Sequence, residues 1–441
     1  MSKTLNNQTV EWKALPWRKL EVRVFKLQKR IFKASNRGDV KAVRRLQKTL
    51  MRSWSGKCIA VRKVTQDNQG KRTAGVDGIK NLSPHARLVL VTQLKVTGKS
   101  KPTRRVWIDK PGKVEKRPLG IPTMFDRALQ ALVKLALEPE WEAKFEGNSF
   151  GFRPGRSAHD AIEAIFKNVR AKSKFVLDAD IAQCFDRIDH KALLNKINTF
   201  PSLRQQIKSW LKSGVMDYGV LSSTEEGTPQ GGVISPLLAN IALHGLEKFI
   251  TGIKQKGCYE KASIVRYADD FVILHESEEF INLLRQKAEE WLKNMGLELK
   301  PSKTRICHTS EGFDFLGFNV RQYKVGAYRA ATVSKGNQHS FNKGALNLGF
   351  KAIIKPTKEA IKRHLGRIGQ VIDKHHNAHQ EVLINSLNLL IRGWCNYYAS
   401  AVSKETFSKC DHLTYQKLRA WAKRRCTKSN ATIQSITTGV P

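Results

Sequence analysis

The sequence predicts an α+β fold in which a small antiparallel sheet and its helices are followed by an all-helical region. Three observations support this class. Two apolar runs flank an acidic turn at Ala268-Asp269, a second apolar run ends in acids at Asp178 and Asp180, and helical periodicity continues from Lys358 to about Arg425. A chain of 441 residues can bury more than one core.

The composition is strongly basic. The chain has 78 Lys and Arg against 38 Asp and Glu, a formal net charge of +40. Such an excess predicts a polyanionic partner, usually nucleic acid. No apolar run approaches the ~20 residues of a membrane span, so a membrane is disfavoured. Seven cysteines without paired spacing argue against a disulfide framework or a zinc ribbon and fit a reducing compartment, and no export signal is evident.

The first 72 residues are predicted to be helical. Apolar residues recur at helical spacing from Trp17 to Lys33, and Asp39 is the expected N-cap of a second helix. One face of that second helix is basic, which favours phosphate contact over a merely solvated surface. The candidate RNA-binding residues on this face are Arg44, Arg45 and Lys48.

A basic hairpin is predicted between Arg104 and Pro122, with a turn at Pro111-Gly112-Lys113. If such a hairpin leans over an active site, arginine can fork onto triphosphate oxygens and lysine can act as a point charge. A hairpin that grips only a template strand is the alternative.

Two acidic segments form the candidate catalytic centre. The strand from Lys174 to Ile181 brings Asp180, and the later hairpin brings Asp269 and Asp270. Adjacent carboxylates repel unless positive charge lies beside them, and two divalent cations about 3.5–4 Å apart would supply it. Oxygen ligands suit magnesium. For an isolated Asp-Asp pair an ordinary solvated turn is the alternative, and Asp180 is the residue that favours a metal site.

Neighbouring residues are expected to play other parts. Asp178 should point to the opposite face of its strand, and Asp186 and Asp189 should cap or order the following helix. Phe185 alone is typical of a core aromatic.

Taken together, these segments resemble the reverse transcriptase–maturase proteins encoded by bacterial group II introns. The resemblance covers about residues 17–425. Besides the strand of Asp180 and the Tyr267-Ala268-Asp269-Asp270 hairpin, it rests on six segments: Ala74–Gly78, Asn148–Arg156, Glu226–Asn240, Leu297–Thr304, Phe313–Phe318 and Arg392–Tyr398. It implies a right-hand polymerase, with fingers and palm around the small sheet and an all-helical thumb.

The resemblance also implies roles for individual residues. Asp180, Asp269 and Asp270 would be catalytic and, with the backbone carbonyl of Ile181, would hold two Mg²⁺ ions. The implied nucleotide-binding residues are Lys110, Arg117, Phe185, Gln230 and Lys303. Phe185 would exclude a ribose 2′-hydroxyl, and Lys303 would neutralise or protonate the departing pyrophosphate.

Further implied contacts are with primer, template and RNA. The candidates for primer and template are Tyr267, Arg153, Arg156 and Gly231, with salt bridges or helix capping as the alternative for both arginines. A basic helix end suited to RNA is formed by Lys423, Arg424 and Arg425.

The implied activity is RNA-directed DNA polymerisation by a maturase that promotes splicing and retrotransposition in the bacterial cytoplasm. The implied partners are group II intron RNA, an RNA template, a DNA primer, deoxynucleoside triphosphates and target DNA. An RNA-binding splicing cofactor with a dispensable polymerase is the second hypothesis. Many relatives continue into an endonuclease with paired cysteines and histidines, and none is expected here. The expected divisions are a helical extension (1–72), fingers and palm (73–333), a linker (334–349), the thumb or maturase domain (350–426) and a tail (427–441).

Overall fold

The computed structural model describes residues 11–109, 115–254, 261–326, 332–334 and 345–425. Lys110, one of the predicted nucleotide-binding residues, lies outside them. The chain divides into two compact units. The first runs to Ser157 and resumes from Leu177 to Arg305, and the second comprises Ala158–Val176 and the chain from Ile306 onward.

The helices of the first unit begin with a layer that packs on one long helix. Helices α1, α2 and α3 all contact α5. As predicted, Asp39 caps α2, since its Oδ1 accepts a hydrogen bond from the Ala42 amide at 2.9 Å. The helices of this unit are α1 (Trp17–Asn36), α2 (Val40–Arg52), α3 (Trp54–Arg62), α4 (Pro84–Gln93), α5 (Met124–Glu142), α7 (Cys184–Arg187), α8 (His190–Ile197), α9 (Pro201–Leu211), α10 (Ser235–Leu243), α11 (Leu246–Gly252) and α12 (Glu278–Lys293), where α6 (Ala158–Val169) belongs to the second unit.

The strands form small sheets. They are β1 (Thr103–Asp109), β2 (Lys116–Ile121), β3 (Phe175–Asp180), β4 (Val215–Asp217), β5 (Val220–Ser222), β6 (Ser263–Tyr267), β7 (Asp270–His275), β8 (Arg305–His308), β9 (Phe313–Phe315), β10 (Phe318–Lys324), β11 (Thr332–Ser334), β12 (Ala345–Asn347) and β13 (Phe350–Pro356). One sheet has the order β2-β1-β4-β5 and contains the predicted basic hairpin.

A second sheet, in the order β6-β7-β3-β8, carries the acidic residues. Its β6–β7 hairpin is antiparallel with Tyr267 opposite Asp270, so the turn consists of Ala268 and Asp269, as predicted. Apolar residues of both strands are buried, including Val265, Val272 and Ile273. Because successive side chains of a strand point to opposite faces, the burial of adjacent residues in β7 shows that the hairpin is covered on both faces.

The second unit combines a three-stranded sheet, β13-β10-β9, with helices α13 (Lys358–Lys374), α14 (Gln380–Tyr398) and α15 (Lys404–Arg425). The predicted seam is confirmed, because Leu383 and Leu387 pack with Ile368 and Ile372 in one buried cluster. The helical pattern predicted from Lys358 onward is confirmed by α13, which begins at that residue. Residues 350–356 precede it. They form β13, whose adjacent β-branched residues Ile353 and Ile354 suit a strand that pairs along β10.

The aromatic end of α14 holds a tight turn between β9 and β10. The hydroxyl of Tyr397 donates to the carbonyl of Leu316 at 2.9 Å, and that of Tyr398 donates to the carbonyl of Gly317 at 3.2 Å. Both turn residues have positive φ, +50° and +83°. The two tyrosines therefore support a backbone conformation that is unfavourable for Leu316.

The α+β class predicted from sequence is confirmed by these elements. None of the helices among the described residues has both the length and the apolar character that a membrane crossing requires.

Candidate active site

Three carboxylates meet at one end of the two central strands, β7 and β3, of the β6-β7-β3-β8 sheet. Strand β3 ends at Asp180, and the β6–β7 turn presents Asp269 and Asp270 beside it. The two segments are joined by a backbone hydrogen bond from the Ile181 amide to the Asp269 carbonyl at 3.3 Å. The side chain of Asp180 lies close enough to Asp270 to raise the pKa of that carboxyl group. The structure thus brings together the four residues expected at the metal site.

Negative charge is concentrated there. Burial and the charges of Asp269 and Asp180 raise the pKa of Asp270 to about 7. Burial, together with the charge of Asp180, also raises the pKa of Asp269. Positive charge also acts on the group: Nζ of Lys303 lies 2.6 Å from Oδ2 of Asp180, and this hydrogen bond raises the lysine pKa. The charges of Lys303 and Arg117 act to lower the pKa of Asp269, but burial and the charge of Asp180 outweigh them, so that pKa is still raised.

The donor set suits a divalent cation. Within the described ranges, no group of three or more His, Cys, Asp or Glu side chains is already arranged to hold a metal ion, and the Asp180 carboxylate is paired with Lys303 instead. The residues nevertheless fit magnesium, because they offer only carboxylate and carbonyl oxygens and carry negative charge that a cation would neutralise.

The neighbouring acids divide between predicted and unpredicted roles. Asp189 caps α8, accepting from the Ala192 amide at 2.6 Å, as expected. The expectation for Asp186 was wrong: it lies in α7, and its Oδ2 accepts a hydrogen bond from Nε2 of Gln230 at 2.7 Å. Burial raises the pKa of Asp186. Asp178 contacts Nε of Arg305 at 3.2 Å.

A cavity of about 390 Å³ is lined by Phe185, which precedes Asp186, and by Gln230, which donates to Asp186. Four of the predicted nucleotide and template residues line it: Arg117, Phe185, Gln230 and Gly231. The lining residues that were not predicted include Asn68 and Phe152. Phe152 meets Phe185 edge to face with ring centroids 6.2 Å apart, at a positive φ of +59° that is rare for a bulky residue. Its place in the Asn148–Arg156 motif was the available signal.

The loop from Gly227 to Gly232 is fixed to both sides of the cavity. The amide of Gly120, in β2, donates to the Gln230 carbonyl at 2.6 Å, and the amide of Thr228 donates to the Phe185 carbonyl at 2.5 Å. At Gly227 an added Cβ would lie 2.5 Å from the backbone of Asp186. Glycine is therefore needed for the close approach that brings Gln230 to Asp186.

The two arginines expected near template differ. Arg153 is buried, ion-paired with Glu142 at 2.9 Å, and donates to the carbonyls of Glu146 and Ser149. It therefore follows the salt-bridge alternative, because its donors are directed into the protein. Arg156 is exposed, over the ring of Phe150 at 5.6 Å.

The predicted RNA-binding residues also divide. Arg44 is turned inward onto Glu140 at 3.0 Å, whereas Arg45 and Lys48 are exposed on the same helix. At the end of α15, the exposed residues are Lys423, Arg424 and Arg425. The inward pairing of Arg44 lowers its value as a phosphate ligand.

Three family models match successive parts of the chain. Residues 12–94 match the N-terminal domain of reverse transcriptase, residues 108–320 match reverse transcriptase (RNA-dependent DNA polymerase), and residues 361–436 match the maturase-specific domain of group II introns. Protein YkfC of Escherichia coli K12 is 32% identical over 300 residues, which cover 58% of this chain and 78% of that protein.

The chain belongs to the group II intron reverse transcriptase–maturases. A further relative, the group II intron-encoded protein LtrA of Lactococcus lactis subsp. cremoris, is 29% identical over 83% of this chain and 72% of its own length. An uncharacterized 91 kDa protein in the cob intron of Schizosaccharomyces pombe is 28% identical over 70% of this chain and 44% of its own length.

Membership of this family establishes the activity of the chain. This group II intron reverse transcriptase–maturase is an RNA-directed DNA polymerase, and its mixed α+β elements followed by a helical C-terminal region agree with the fold class predicted from sequence. Reverse transcriptases generally use divalent metal ions, and the family implies binding of intron RNA and of template with primer. The three carboxylates lie within residues 108–320, which match the reverse transcriptase model. All the residues that line the 390 Å³ cavity also lie there, except Asn68.

Proposed function

We propose that this chain copies RNA into DNA by two-metal phosphoryl transfer, with Asp180, Asp269, Asp270 and the Ile181 carbonyl holding two Mg²⁺ ions. The observation that carries this proposal is the pairing of β7 with β3 and the hydrogen bond from the Ile181 amide to the Asp269 carbonyl, which bring the three carboxylates together. When bound, the ions would lower the pKa of the primer hydroxyl and stabilise charge on the transferred phosphate and pyrophosphate.

The chain's own residues bind and orient the deoxynucleoside triphosphate. Arg117 and Lys110 take the phosphates, for which a guanidinium fork and an ammonium are suited. Phe185, supported edge-on by Phe152, excludes the 2′-hydroxyl of a ribonucleotide. Gln230 is held by Asp186 at 2.7 Å, so its amide has a fixed orientation toward the cavity. Lys303, which lies 2.6 Å from Asp180, neutralises or protonates the departing pyrophosphate.

Primer and template complete the proposed site. Tyr267 precedes the carboxylate turn directly and supports the primer end, while Gly231 and exposed Arg156 contact template. Arg153 acts through its buried salt bridge rather than by contact.

The maturase role rests on basic surfaces. Exposed Arg45 and Lys48 on α2 and Lys423, Arg424 and Arg425 on α15 bind intron RNA, and this binding promotes splicing and retrotransposition into target DNA. The divisions proposed for these tasks remain residues 1–72, 73–333, 334–349 and 350–426, with a tail at 427–441.

The test is primer extension on an RNA template with Asp269→Asn and Asp270→Asn. Each variant should lose at least about 10³-fold in rate, because removing a member of a catalytic group typically costs that much. Asp178→Asn is the matched control, since Asp178 lies on the same strand as Asp180 but contacts Arg305, and it should retain synthesis.

Splicing of the cognate intron is measured in parallel. Splicing that survives in Asp269→Asn while synthesis is lost would separate maturase from polymerase. Undiminished synthesis in that variant would overturn the carboxylate assignment.

A further inference from the structure

A buried arginine stands directly behind the carboxylate turn. We infer that Arg266 is a positioning residue for polymerisation, holding the Ala268–Asp269 turn so that Asp269 and Asp270 face Asp180. The inference rests on the proposed catalytic role of those carboxylates.

Three hydrogen bonds fix the guanidinium. Nη1 of Arg266 donates to the carbonyl of Ala268 at 3.0 Å and to Oδ1 of Asn240 at 3.1 Å, and Nη2 donates to Oγ of Ser149 at 2.6 Å. The acceptors come from the turn itself, from α10 and from the segment before residue 157. Only a planar fork can reach acceptors in three directions, so lysine could not replace it fully.

Burying the charged guanidinium of Arg266 costs free energy, which must be offset by its partners. Arg266 is 3% exposed, and burial lowers its pKa to about 10, which leaves it charged at neutral pH. A buried charge is expensive unless it is paired and hydrogen-bonded. The charge of Glu146, itself 7% exposed, offsets part of that cost.

The backbone of the same residue is also held. The amide of Arg266 donates to the carbonyl of Asn148, and its carbonyl accepts from the amide of Phe150, both at 2.9 Å. Gly151 lies so close to the turn that an added Cβ would collide with the amide nitrogen of Ala268. Side chain and backbone of Arg266 thus tie the turn to the segment 148–151.

The turn needs such support because its conformation is strained. Ala268 has a φ of +59°, in the left-handed region that costs a residue with a Cβ roughly 1–2 kcal/mol. The hydrogen bond from Arg266 to the Ala268 carbonyl is made in this conformation. Without it, the turn can relax toward negative φ and carry Asp269 and Asp270 away from Asp180.

The experiment uses the full chain with Arg266→Met, Arg266→Lys and Ser149→Ala. Two quantities are measured: binding of Mn²⁺ alone by electron paramagnetic resonance, and kcat with KM for the nucleotide in primer extension. Loss of a supporting residue behind metal ligands typically costs about 10–100-fold in metal affinity or activity. We expect Arg266→Met to lose that much in Mn²⁺ affinity and kcat, with nearly unchanged KM, Arg266→Lys to recover part, and Ser149→Ala to lose least.

Arg127→Lys is the control for a purely structural effect. Arg127 is 6% exposed and donates to the carbonyls of Pro122, Gly70 and Thr73, none of which lies in the carboxylate turn. It should lower the unfolding midpoint but leave Mn²⁺ affinity at the wild-type value. If Arg266→Met does not fold, Arg266→Lys and Ser149→Ala carry the test, because both keep a positive charge at position 266.

The outcomes separate the two proposals. If Asp269→Asn abolishes synthesis while folded Arg266 variants match the wild type in Mn²⁺ affinity and kcat, the role of Arg266 is refuted and the carboxylates stand. A loss of Mn²⁺ affinity in Arg127→Lys equal to that in Arg266→Lys would also refute it. If Asp269→Asn retains synthesis, the proposed catalytic site fails first.

Discussion

The contact between Gly317 and the hydroxyl of Tyr398 allows a quantitative prediction. An added Cβ at Gly317 would lie 2.8 Å from the Tyr398 hydroxyl oxygen, and the next atom of that ring, Cζ, is 3.9 Å away. Gly317→Ala therefore carries two penalties. The φ of +83° costs roughly 1–2 kcal/mol for alanine, and overpacking against the hydroxyl costs about 1–3 kcal/mol more.

Tyr398→Phe removes the hydroxyl and its hydrogen bond to the Gly317 carbonyl, a loss of about 1 kcal/mol. The same change opens space for the Cβ that Gly317→Ala adds, because the ring carbon at 3.9 Å is at ordinary contact distance. The double variant should therefore be more stable than the sum of the single variants predicts, by about 1–2 kcal/mol.

Native-state hydrogen exchange of the amides from Phe313 to Lys324 measures the local opening free energy without assuming that both units unfold together. Gly366→Ala, at a position on α13 where a Cβ would meet nothing within 4 Å, is the control and should add independently to Tyr398→Phe. Additivity within about 0.5 kcal/mol for the Gly317 pair would refute the clash.

Three further predictions follow from the site and its surroundings. Phe185→Ala should raise ribonucleotide incorporation by at least about tenfold relative to deoxynucleotides in primer extension, and an unchanged ratio would contradict the steric role. Burial lowers the pKa of Lys196 from 10.5 to about 8, so the native state loses stability as pH falls from 10.5 to 8. Lys196→Met should raise the free energy of unfolding at pH 7 by about 1–3 kcal/mol, less its lost bond to Ala242, with the gain shrinking toward pH 10 in denaturant titrations. Replacing exposed Arg45 and Lys48 with glutamine should weaken intron RNA binding and reduce the slope of log Kd against log salt by about 2, whereas an unchanged slope would argue against this face.

Much of this arrangement could be predicted from local pattern. The cap at Asp39, the turn at Ala268-Asp269 and the seam through Leu383 follow from side-chain chemistry and periodicity within a few residues, and the structure agrees. Long-range partners could not be predicted. Arg153 and Arg44 are typical of nucleic-acid contacts in sequence, but each finds a glutamate brought near only by folding.

The residues that sequence reasoning missed also depend on partners that are distant in sequence. Asp186 was expected to cap or order the following helix, but its carboxylate accepts a hydrogen bond from Gln230, which lies 44 residues later. Phe152 and Asn68 line the cavity beside Phe185 only because separate elements converge there. The strand Phe350–Pro356 is set by pairing with β10, a partner that helical periodicity further along the chain could not reveal.

Gln230 connects the basic hairpin with α7, the short helix that contains Phe185. Its carbonyl is bonded to Gly120 of the basic hairpin, and its side chain is bonded to Asp186, the neighbour of Phe185. If Arg117 binds phosphate and Phe185 excludes the ribose hydroxyl, as proposed, a change that shifts this loop should disturb both contacts at once. Substrate affinity and sugar discrimination would then be coupled through this loop, and selection on either one would alter the other.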